Sequence, residues 1–295
     1  IYIAHLSLTS QYINTFGDEY QKQKYLPDLA TGKKIGAFAL TEPGAGSDAA
    51  AIQTSSVRAN GHYVINGTKT YISNAPEAGV LVTLATRDKS EGYKGIDALI
   101  VDGDLDGIEV NQLHGKMGVR ASTVGEIVFK NCHVPVHNRL GEEGVGFRQT
   151  MEVLNASRIS IAAQCVGIAQ AALEESVQYA RTREVFGGPL GDLQAIQWMI
   201  ADMATETEAA RQLVMSVASK RDAGVPFLTE ASMAKLFASR VAMQAAHNAV
   251  QIHGGAGYFA PTKVERLFRD ARVTEIYEGT SEVQRMLIAR NILKQ

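Results

Sequence analysis

The chain has 295 residues, of which 45% are hydrophobic and 20% charged, so it is globular and long enough for two domains or one large one. Its formal net charge of −2 gives no overall basic field. This argues against a nucleic-acid partner but leaves room for a local cationic pocket that binds a phosphorylated cofactor. The two cysteines, Cys132 and Cys165, form no CxxC motif, which favours a reducing compartment and argues against a cysteine metal site. The longest apolar run, 79–85, is too short to cross a bilayer.

Residues 1–34 are predicted to be the end of a helical unit. A helix-like run is broken at Gly17, and the charged helix that follows is expected to end near Leu26–Pro27. Because the chain opens at Ile1 inside an apolar run rather than at a methionine, we expect a processed or truncated start.

Residues 35–140 are predicted to form a β-domain. Two Asn-Gly pairs, Asn60-Gly61 and Asn66-Gly67, lie between runs of alternating polarity, and this dipeptide is the strongest short signal for a hairpin. A region of about a hundred residues with short strands and turns predicts a small antiparallel barrel or sandwich. The alternating runs occupy 36–41, 52–59, 62–65, 80–86, 96–101 and 124–129.

Residues 141–295 are predicted to form a four-helix bundle. Apolar residues recur at helical spacing from Ile159 to Val177 and from Ile196 to Val217, and a third helix is predicted from about Thr229 to Ile252. A fourth helix follows Glu278. The fold class is therefore α+β, with a helical remnant, a β-domain and a bundle.

Two stretches of the β-domain carry polar residues that suit a ligand. Thr41–Asp48 (TEPGAGSD) ends a strand with two glycines that let backbone N–H groups approach an anion, and Ser47 adds a hydroxyl donor. As a bare pattern it is equally an ordinary turn, and it matches neither the P-loop nor the dinucleotide glycine motif. Lys69–Asn74 (KTYISN) by itself indicates a strand with one packed aromatic residue.

Two further stretches close helices of the bundle. Arg181–Pro189 places two arginines and two glycines at the end of the first long helix, and Gln251–Tyr258 ends the third helix in the same style; helix capping explains both. His253 has no second ligand at metal-binding spacing, so a packed histidine is expected and no metal site is predicted. No G-x-S-x-G motif is present, which argues against a serine hydrolase.

Arg272–Arg285 (RVTEIYEGTSEVQR) is the most informative stretch. Thr280 or Ser281 can cap the helix that follows, with Glu282 in its first turn. Glu278 lies just before this cap and follows two bulky residues. Apolar surroundings disfavour the charged form of a carboxylate, which suits a base near neutral pH. The alternative is an acidic residue that only interacts with the helix dipole.

Three of these motifs, taken in order, resemble the acyl-CoA dehydrogenase family over essentially the whole chain. They are TEPGAGSD on the β-domain, QIHGGAGY after the third bundle helix and IYEGTSEVQR before the last helix. The resemblance is to the short- and medium-chain type, similar to butyryl-CoA dehydrogenase. It implies a non-covalent FAD between the β-domain and the bundle.

The resemblance also implies which residues hold the cofactor. Those that would contact the flavin and its phosphates are Phe38, Leu40, Thr41 and Ser47, and those beside the isoalloxazine ring are Tyr71, Ile72 and Ser73. The adenine and pyrophosphate end, bound in the family by a neighbouring subunit, would involve Arg183, Phe186, Gln251, Gly254 and Gly255. Thr280 and Glu282 would hold FAD from the active-site side. A homodimer follows, usually within a homotetramer.

The resemblance gives Glu278 the role of base. It would remove the α-proton of an acyl-CoA thioester while the β-hydrogen leaves as hydride to flavin N5, which gives a trans-2-enoyl-CoA. The main-chain N–H of Glu278 and a ribityl hydroxyl of FAD would hold the thioester oxygen. One branch of the family places its base near Ser157 instead, and this chain keeps Glu278. The residues implied on the substrate side are Ser47, Asn155, Ser157, Arg158 and Gly279.

Some features depart from the family pattern. Tyr71 stands where many relatives have tryptophan and Ser73 where many have threonine, which is expected to shift flavin tuning without removing binding. Of the N-terminal helical domain that closes the acyl pocket, only the last helix, around 1–16, is expected here. The alternatives are an acyl-CoA oxidase and a catalytically silent assembly module. The family implies an electron-transferring flavoprotein as acceptor, and the cytoplasm, or the mitochondrial matrix of a eukaryote, as location.

Overall fold

The computed structural model describes residues 2–294, so the two terminal residues of the predicted domains, Ile1 and Gln295, lie outside the described residues. The described chain forms two compact units. The first comprises 2–116 and 120–157, and the second comprises 117–119 and 158–294. None of the helices within 2–294 combines the length and apolar character needed to cross a membrane.

The helical start packs onto the sheet of the first unit. Gly17 ends α1 as predicted, and Asp18 and Gln21 form a capping box at the start of α2. The predicted end of this helix near Pro27 is wrong. The helix continues because Leu29 on its last turn is buried in the core, and this burial outweighs the hydrogen bond that the proline lacks. The segments are a π-helix (Ala4–Ser10), α1 (Gln11–Phe16) and α2 (Glu19–Ala30).

All six predicted strand regions contain strands of one seven-stranded sheet. The strands pair in the order β1-β4-β2-β3-β7-β6, with β5 on β4. Pairing is antiparallel except for β1 with β4 and a short parallel contact of β2 with β4. Strand β6 is not predicted from the sequence, because its apolar alternation is limited to Ile108 and Val110; four of its five residues are exposed in the structure. The strands are β1 (Ile35–Ala39), β2 (Ser55–Ala59), β3 (His62–Ser73), β4 (Ala78–Thr86), β5 (Ile96–Asp102), β6 (Ile108–Gln112) and β7 (Val124–Pro135).

Of the two Asn-Gly pairs, one forms a hairpin turn and the other lies inside a strand. Asn60 and Gly61, with φ of +47° and +78°, form the predicted hairpin turn between β2 and β3. The second predicted turn is wrong, because Asn66 and Gly67 lie inside β3 where its register against β7 shifts. Gly67 has φ of +153°, and a Cβ there would collide with Thr54, so this glycine marks a β-bulge with a close backbone approach.

The sheet is buried on both faces. Val80 and Val82 of β4 join a core cluster that contains Tyr12 and Tyr25 of the N-terminal helices. Leu81, which points to the opposite face, belongs to a second cluster formed by the strands. The strands therefore contribute to two core clusters, and they share one of these with the N-terminal helices.

The four predicted helices of the bundle are present, and α5 packs against α4, α7 and α8 in the second unit. Its buried face is rich in alanine, and small residues let helices approach closely. The stretch after α3 is expected to be a simple turn. In the structure it is a short hairpin of two strands with two residues each, β8 (Glu184–Val185) and β9 (Gly188–Pro189). The helices are α3 (Gly146–Thr182), α4 (Gln194–Asp222), α5 (Leu228–His253), α6 (Gly255–Tyr258), α7 (Lys263–Ala271) and α8 (Ser281–Ile292).

Candidate active site

Glu278 lies in the loop that precedes α8, and its backbone is strained. Its φ is +52°, and the φ of the following Gly279 is +89°. The left-handed conformation costs an L-residue about 1–2 kcal/mol, so neighbouring contacts must hold it. Thr280 caps α8 as predicted, since its hydroxyl oxygen accepts from the Val283 N–H at 3.3 Å.

Two fully buried side chains hold the carbonyl groups of this loop. Lys235 of α5 donates from Nζ to the Gly279 oxygen at 2.8 Å. Gln284 of α8 donates from Nε2 to the same oxygen at 2.9 Å and to the Glu278 oxygen at 3.4 Å. Neither residue was identified from the sequence. The available signal was a lysine among the buried alanines of α5.

Two buried cations interact with the half-buried Glu278. Burial lowers the pKa of Arg158 to about 10, and the negative charge of Glu278 opposes that shift. Burial also lowers the pKa of Lys235 to about 8, against the opposing effects of Cys165 and Glu278. Just before the glutamate, the Tyr277 hydroxyl donates to Oε1 of Gln164 at 2.7 Å. Charge and hydrogen bonding thus converge on the residues around Glu278.

In the first unit, the turn after β1 is held by a buried ion pair that the sequence did not reveal. The Glu42 carboxylate accepts from Lys69 Nζ at 2.8 Å and from the N–H groups of Gln53 at 2.6 Å and Thr54 at 2.9 Å. Lys69 Nζ also donates to the Leu40 carbonyl at 3.0 Å. Burial would raise the pKa of Glu42, but the Lys69 charge and the hydrogen bonds bring it below its usual value, while burial lowers the pKa of Lys69 to about 8.

The predicted flavin residues of this turn lie close together. Phe38 is buried on β1, and Leu40 and Thr41 follow it half-buried. The Thr41 carbonyl accepts from the Thr70 N–H at 2.9 Å, which ties the end of β1 to β3. The structure therefore brings this group beside the predicted ring-binding residues of β3.

The glycine turn itself is open. A Cβ added to Gly44 or Gly46 would meet no atom within 4 Å, and Ser47 is exposed next to them. Exposed backbone beside a hydroxyl can approach and bind phosphate oxygens.

Tyr71 does not pack as a plain strand aromatic. It is 72% exposed with φ of +57°, at a shift in the register of β3 against β7. Ile72 is buried in its place, and Ser73 is half-buried. The interpretation of a strand with one packed aromatic is therefore wrong. An exposed ring on a bulge is free to stack on a planar ligand.

The predicted substrate-side residues lie on α3. Asn155 is half-buried, and Arg158 is nearly fully buried. Ser157 is fully buried, and its hydroxyl donates to the Leu154 carbonyl of its own helix at 3.1 Å. Of these three, the structure brings Arg158 into electrostatic contact with Glu278.

The ends of α3 and α5 meet in the second unit. The His253 ring stacks on Tyr179, with 4.1 Å between ring centroids, and its Nδ1 is hydrogen-bonded to the Ala249 carbonyl at 2.8 Å. The predicted packed histidine is confirmed. The Tyr179 carbonyl accepts from the N–H of the exposed Arg183 at 2.9 Å, which links the hairpin after α3 to this contact.

The remaining predicted cofactor residues are all exposed. Phe186 is 97% exposed at the tip of the β8–β9 hairpin, where its φ is +50°. Gln251 closes α5, and a Cβ on Gly254 or Gly255 would meet nothing within 4 Å. Glu282 is exposed on the first turn of α8. Open glycine backbone, an exposed ring and exposed donors suit an aromatic dinucleotide such as FAD, so the residues present fit this cofactor.

The chain belongs to the acyl-CoA dehydrogenase family, whose members are FAD-dependent oxidoreductases that act on CH–CH bonds. The family's C-terminal domain matches residues 144–293, its middle domain matches 37–132, and its N-terminal domain matches 1–33. The family comprises flavoproteins of fatty-acid β-oxidation, and a homotetramer is typical of it.

Three relatives illustrate the similarity. An acryloyl-CoA reductase (NADH) of Anaerotignum propionicum is 47% identical over 98% of this chain and 74% of its own length. The butyryl-CoA dehydrogenase structure of Megasphaera elsdenii is 44% identical, with a TM-score of 0.97 over 99% of this chain and 76% of that one. A structure described under the electron-transferring flavoprotein of Acidaminococcus fermentans is 46% identical, with a TM-score of 0.98 over 99% of this chain and 77% of that one.

Proposed function

We propose that the chain converts a short-chain acyl-CoA thioester to a trans-2-enoyl-CoA, with Glu278 as the base that removes the α-proton. The observation that carries this proposal is the Glu278 loop, in which a half-buried carboxylate on a strained backbone interacts with buried Arg158 and Lys235. Strain of this kind persists where the surroundings fix a functional geometry. Bound FAD would supply the two-electron acceptor that takes the β-hydrogen as hydride at flavin N5.

The negative charge that develops on the thioester oxygen needs a donor. We assign this role to the main-chain N–H of Glu278, so that one residue supplies both the base and a hydrogen bond to the developing charge. A fixed backbone supports such a role, because a preorganised donor needs no rearrangement during the reaction. On the substrate side we place Ser47, Asn155, Ser157, Arg158 and Gly279.

For the cofactor, each unit offers its own donors and rings. The turn after β1 would contact the flavin and its phosphates, Tyr71 and Ser73 would lie beside the ring, and Thr280 and Glu282 would hold FAD near the base. A second group of residues is exposed, which supports their binding the FAD of a neighbouring subunit within a homotetramer. These residues are Arg183, Phe186, Gln251, Gly254 and Gly255.

The relatives support the finer assignments. Two carry three- and four-carbon acyl groups in their names, acryloyl and butyryl, which supports a short-chain substrate. The relationship to a structure described under an electron-transferring flavoprotein supports such a protein as electron acceptor. We also propose the domain boundaries 1–34, 35–140 and 141–295 for this chain.

The test is an anaerobic titration of the flavin-loaded protein with butyryl-, octanoyl- and isovaleryl-CoA, followed by the visible flavin spectrum. We expect butyryl-CoA to bleach the flavin fastest. Glu278→Gln should keep FAD and acyl-CoA binding but slow flavin bleaching by roughly 100- to 10,000-fold, because an amide cannot take the proton. Glu174→Gln, which removes an exposed carboxylate on α3, is the matched control and should bleach normally. Full activity of Glu278→Gln would refute the assignment.

The same residues serve the reverse reaction, and the reductase among the relatives favours testing it. A base that removes the α-proton returns it in the opposite direction. Mixing the chemically reduced holoprotein with acryloyl-CoA or crotonyl-CoA would reveal this activity as reoxidation of the flavin. Rapid reoxidation by air instead would indicate an oxidase, and failure to bind FAD at all would indicate a catalytically silent module.

A further inference from the structure

The loop that carries Glu278 depends on one carbonyl group. Glu278 and Gly279 both have positive φ, and the peptide groups that flank Gly279 can keep their orientation only if their neighbours hold them. The Gly279 oxygen receives two donors, Lys235 Nζ at 2.8 Å from α5 and Gln284 Nε2 at 2.9 Å from α8. Both donor side chains are fully buried.

The lysine is an expensive way to satisfy a neutral carbonyl. Taking an ammonium group out of water carries a large desolvation penalty. The Gly279 carbonyl and the nearby charges of Glu278 and Glu275 offset only part of it, because the pKa of Lys235 stays below its ordinary value. The surrounding face of α5 is built from alanines such as Ala231, Ala234 and Ala238, where an apolar side chain would pack without that penalty. Stability therefore does not explain the residue.

The geometry points to Lys235 as a positioning residue for the proposed base: its bond to the Gly279 carbonyl fixes the peptide between Gly279 and Thr280. This holds the Gly279 backbone next to Glu278, and with it the direction of the Glu278 carboxylate and main-chain N–H. This inference rests on the proposed role of Glu278. Gln284 supports the same oxygen and the Glu278 carbonyl, so α5 and α8 hold the loop together. Loss of either donor should loosen the loop without removing the base.

The experiment compares Lys235→Met, Gln284→Leu and Val241→Ala, all prepared as flavin-loaded protein. Lys235→Met removes the donor and the buried charge at similar volume, and Gln284→Leu removes an uncharged donor to the same oxygen. Val241, buried on the same helix, is the control, because its truncation weakens packing but leaves both donors in place. Three quantities are measured: the limiting rate of flavin bleaching by butyryl-CoA per bound flavin, the thermal midpoint, and amide hydrogen exchange of the peptide covering 276–284.

We expect Lys235→Met to lower the limiting rate at least 10-fold, with faster exchange in 276–284 and an unchanged or higher thermal midpoint. Gln284→Leu should change rate and exchange in the same direction, which separates the hydrogen bond from the charge. Val241→Ala should lower the midpoint and leave the rate per flavin unchanged. A Lys235→Met protein that bleaches at the wild-type rate, or that loses rate only in proportion to lost stability as Val241→Ala does, would overturn the inference. Glu278→Gln is run alongside: if it is inactive while Lys235→Met is fully active, the base assignment stands and only the positioning role fails.

Discussion

Replacing Lys69 with methionine should leave the Glu42 carboxylate buried in the first unit without its cationic partner. The Lys69 and Glu42 side chains are 0% and 5% exposed, and their charged atoms are 2.8 Å apart. Removing one partner of a buried ion pair costs about 3–5 kcal/mol, because the other charge loses its compensation. Glu42 keeps the N–H donors of Gln53 and Thr54, so we expect the lower end of that range, about 3 kcal/mol.

This loss is large enough to measure by thermal unfolding. For a unit of this size, a change of 1 kcal/mol moves the midpoint by about 2–4 °C, so Lys69→Met should lower it by roughly 6–12 °C. The Leu40 carbonyl also loses its donor, which frees the end of β1. We therefore expect FAD to bind more weakly as well, and the dissociation constant can be obtained by titrating the apoprotein with FAD.

Lys130 offers a matched control. It pairs with Glu109 at 2.7 Å, but both side chains are more than half exposed, and a surface pair contributes about 0–1 kcal/mol. Lys130→Met should therefore leave the midpoint and FAD binding nearly unchanged. In the double variant Glu42→Gln/Lys69→Met the stranded charge is gone, so it should be more stable than Lys69→Met alone. If Lys69→Met unfolds within about 2 °C of the Lys130→Met control, the reasoning about the buried pair is refuted.

Two further predictions concern the Glu278 loop. Gly279→Ala should destabilise the protein by about 1–2 kcal/mol and slow flavin bleaching, because φ is +89° and a Cβ would collide with Gln284. The control is Gly167→Ala, which lies on an exposed helical face with open space and should be neutral or stabilising. Equal effects of the two substitutions on the thermal midpoint would contradict the prediction. Because the pKa of Lys235 is lowered from 10.5 to about 8, the unfolded chain binds more protons between these pH values, and the free energy of unfolding rises with pH there. Across that window the wild type should gain at most about 3 kcal/mol relative to Lys235→Met, and a pH-independent difference in thermal midpoint would contradict it. The groups that influence this titration are Cys165, Glu278, Arg158 and Glu275.

The sequence predicted the features that local chemistry dictates. The helical stripes, the Asn60-Gly61 hairpin and the Thr280 cap each depend on residues close together in the chain, and each is present. The failures arise where tertiary contacts override local preference. Pro27 does not end its helix, because Leu29 in the last turn is buried. Gly67 lies in a β-bulge rather than a turn, and a glycine is needed there because Thr54 leaves no room for a side chain.

The candidate site divides in the same way. Motifs identified Glu278 and the exposed cofactor residues, whose roles remain predictions. They did not identify Lys69, Lys235 or Gln284, because these residues act through backbone carbonyl groups. For Lys69 and Lys235 the carbonyl lies in a segment distant in sequence, and for Gln284 it lies five residues earlier in the loop. Every residue has a backbone carbonyl, so the residue type does not show which carbonyl needs a donor. The sequence can show only the donor, as a polar residue at a position where helical or strand periodicity predicts an apolar one.

Lys69 and Lys235 make the same kind of hydrogen bond to a backbone carbonyl, but their removal should have opposite effects on stability. Each is a buried lysine of its own unit that donates to the carbonyl of a loop carrying residues with predicted functional roles. Lys69 also neutralises Glu42, so its removal leaves a buried charge and destabilises the fold. Lys235 donates to a neutral oxygen that keeps a second donor in Gln284, and the Glu278 charge that it faces keeps Arg158 as a cationic neighbour. Removal of Lys235 therefore takes a buried charge away and leaves neither group without a partner. The same substitution to methionine should therefore weaken the fold at 69 and spare or strengthen it at 235, while loosening a loop in both cases. Both lysines therefore fix the geometry of a loop. Lys69 also stabilises the fold, whereas Lys235 fixes its loop with no gain, or with a loss, in stability.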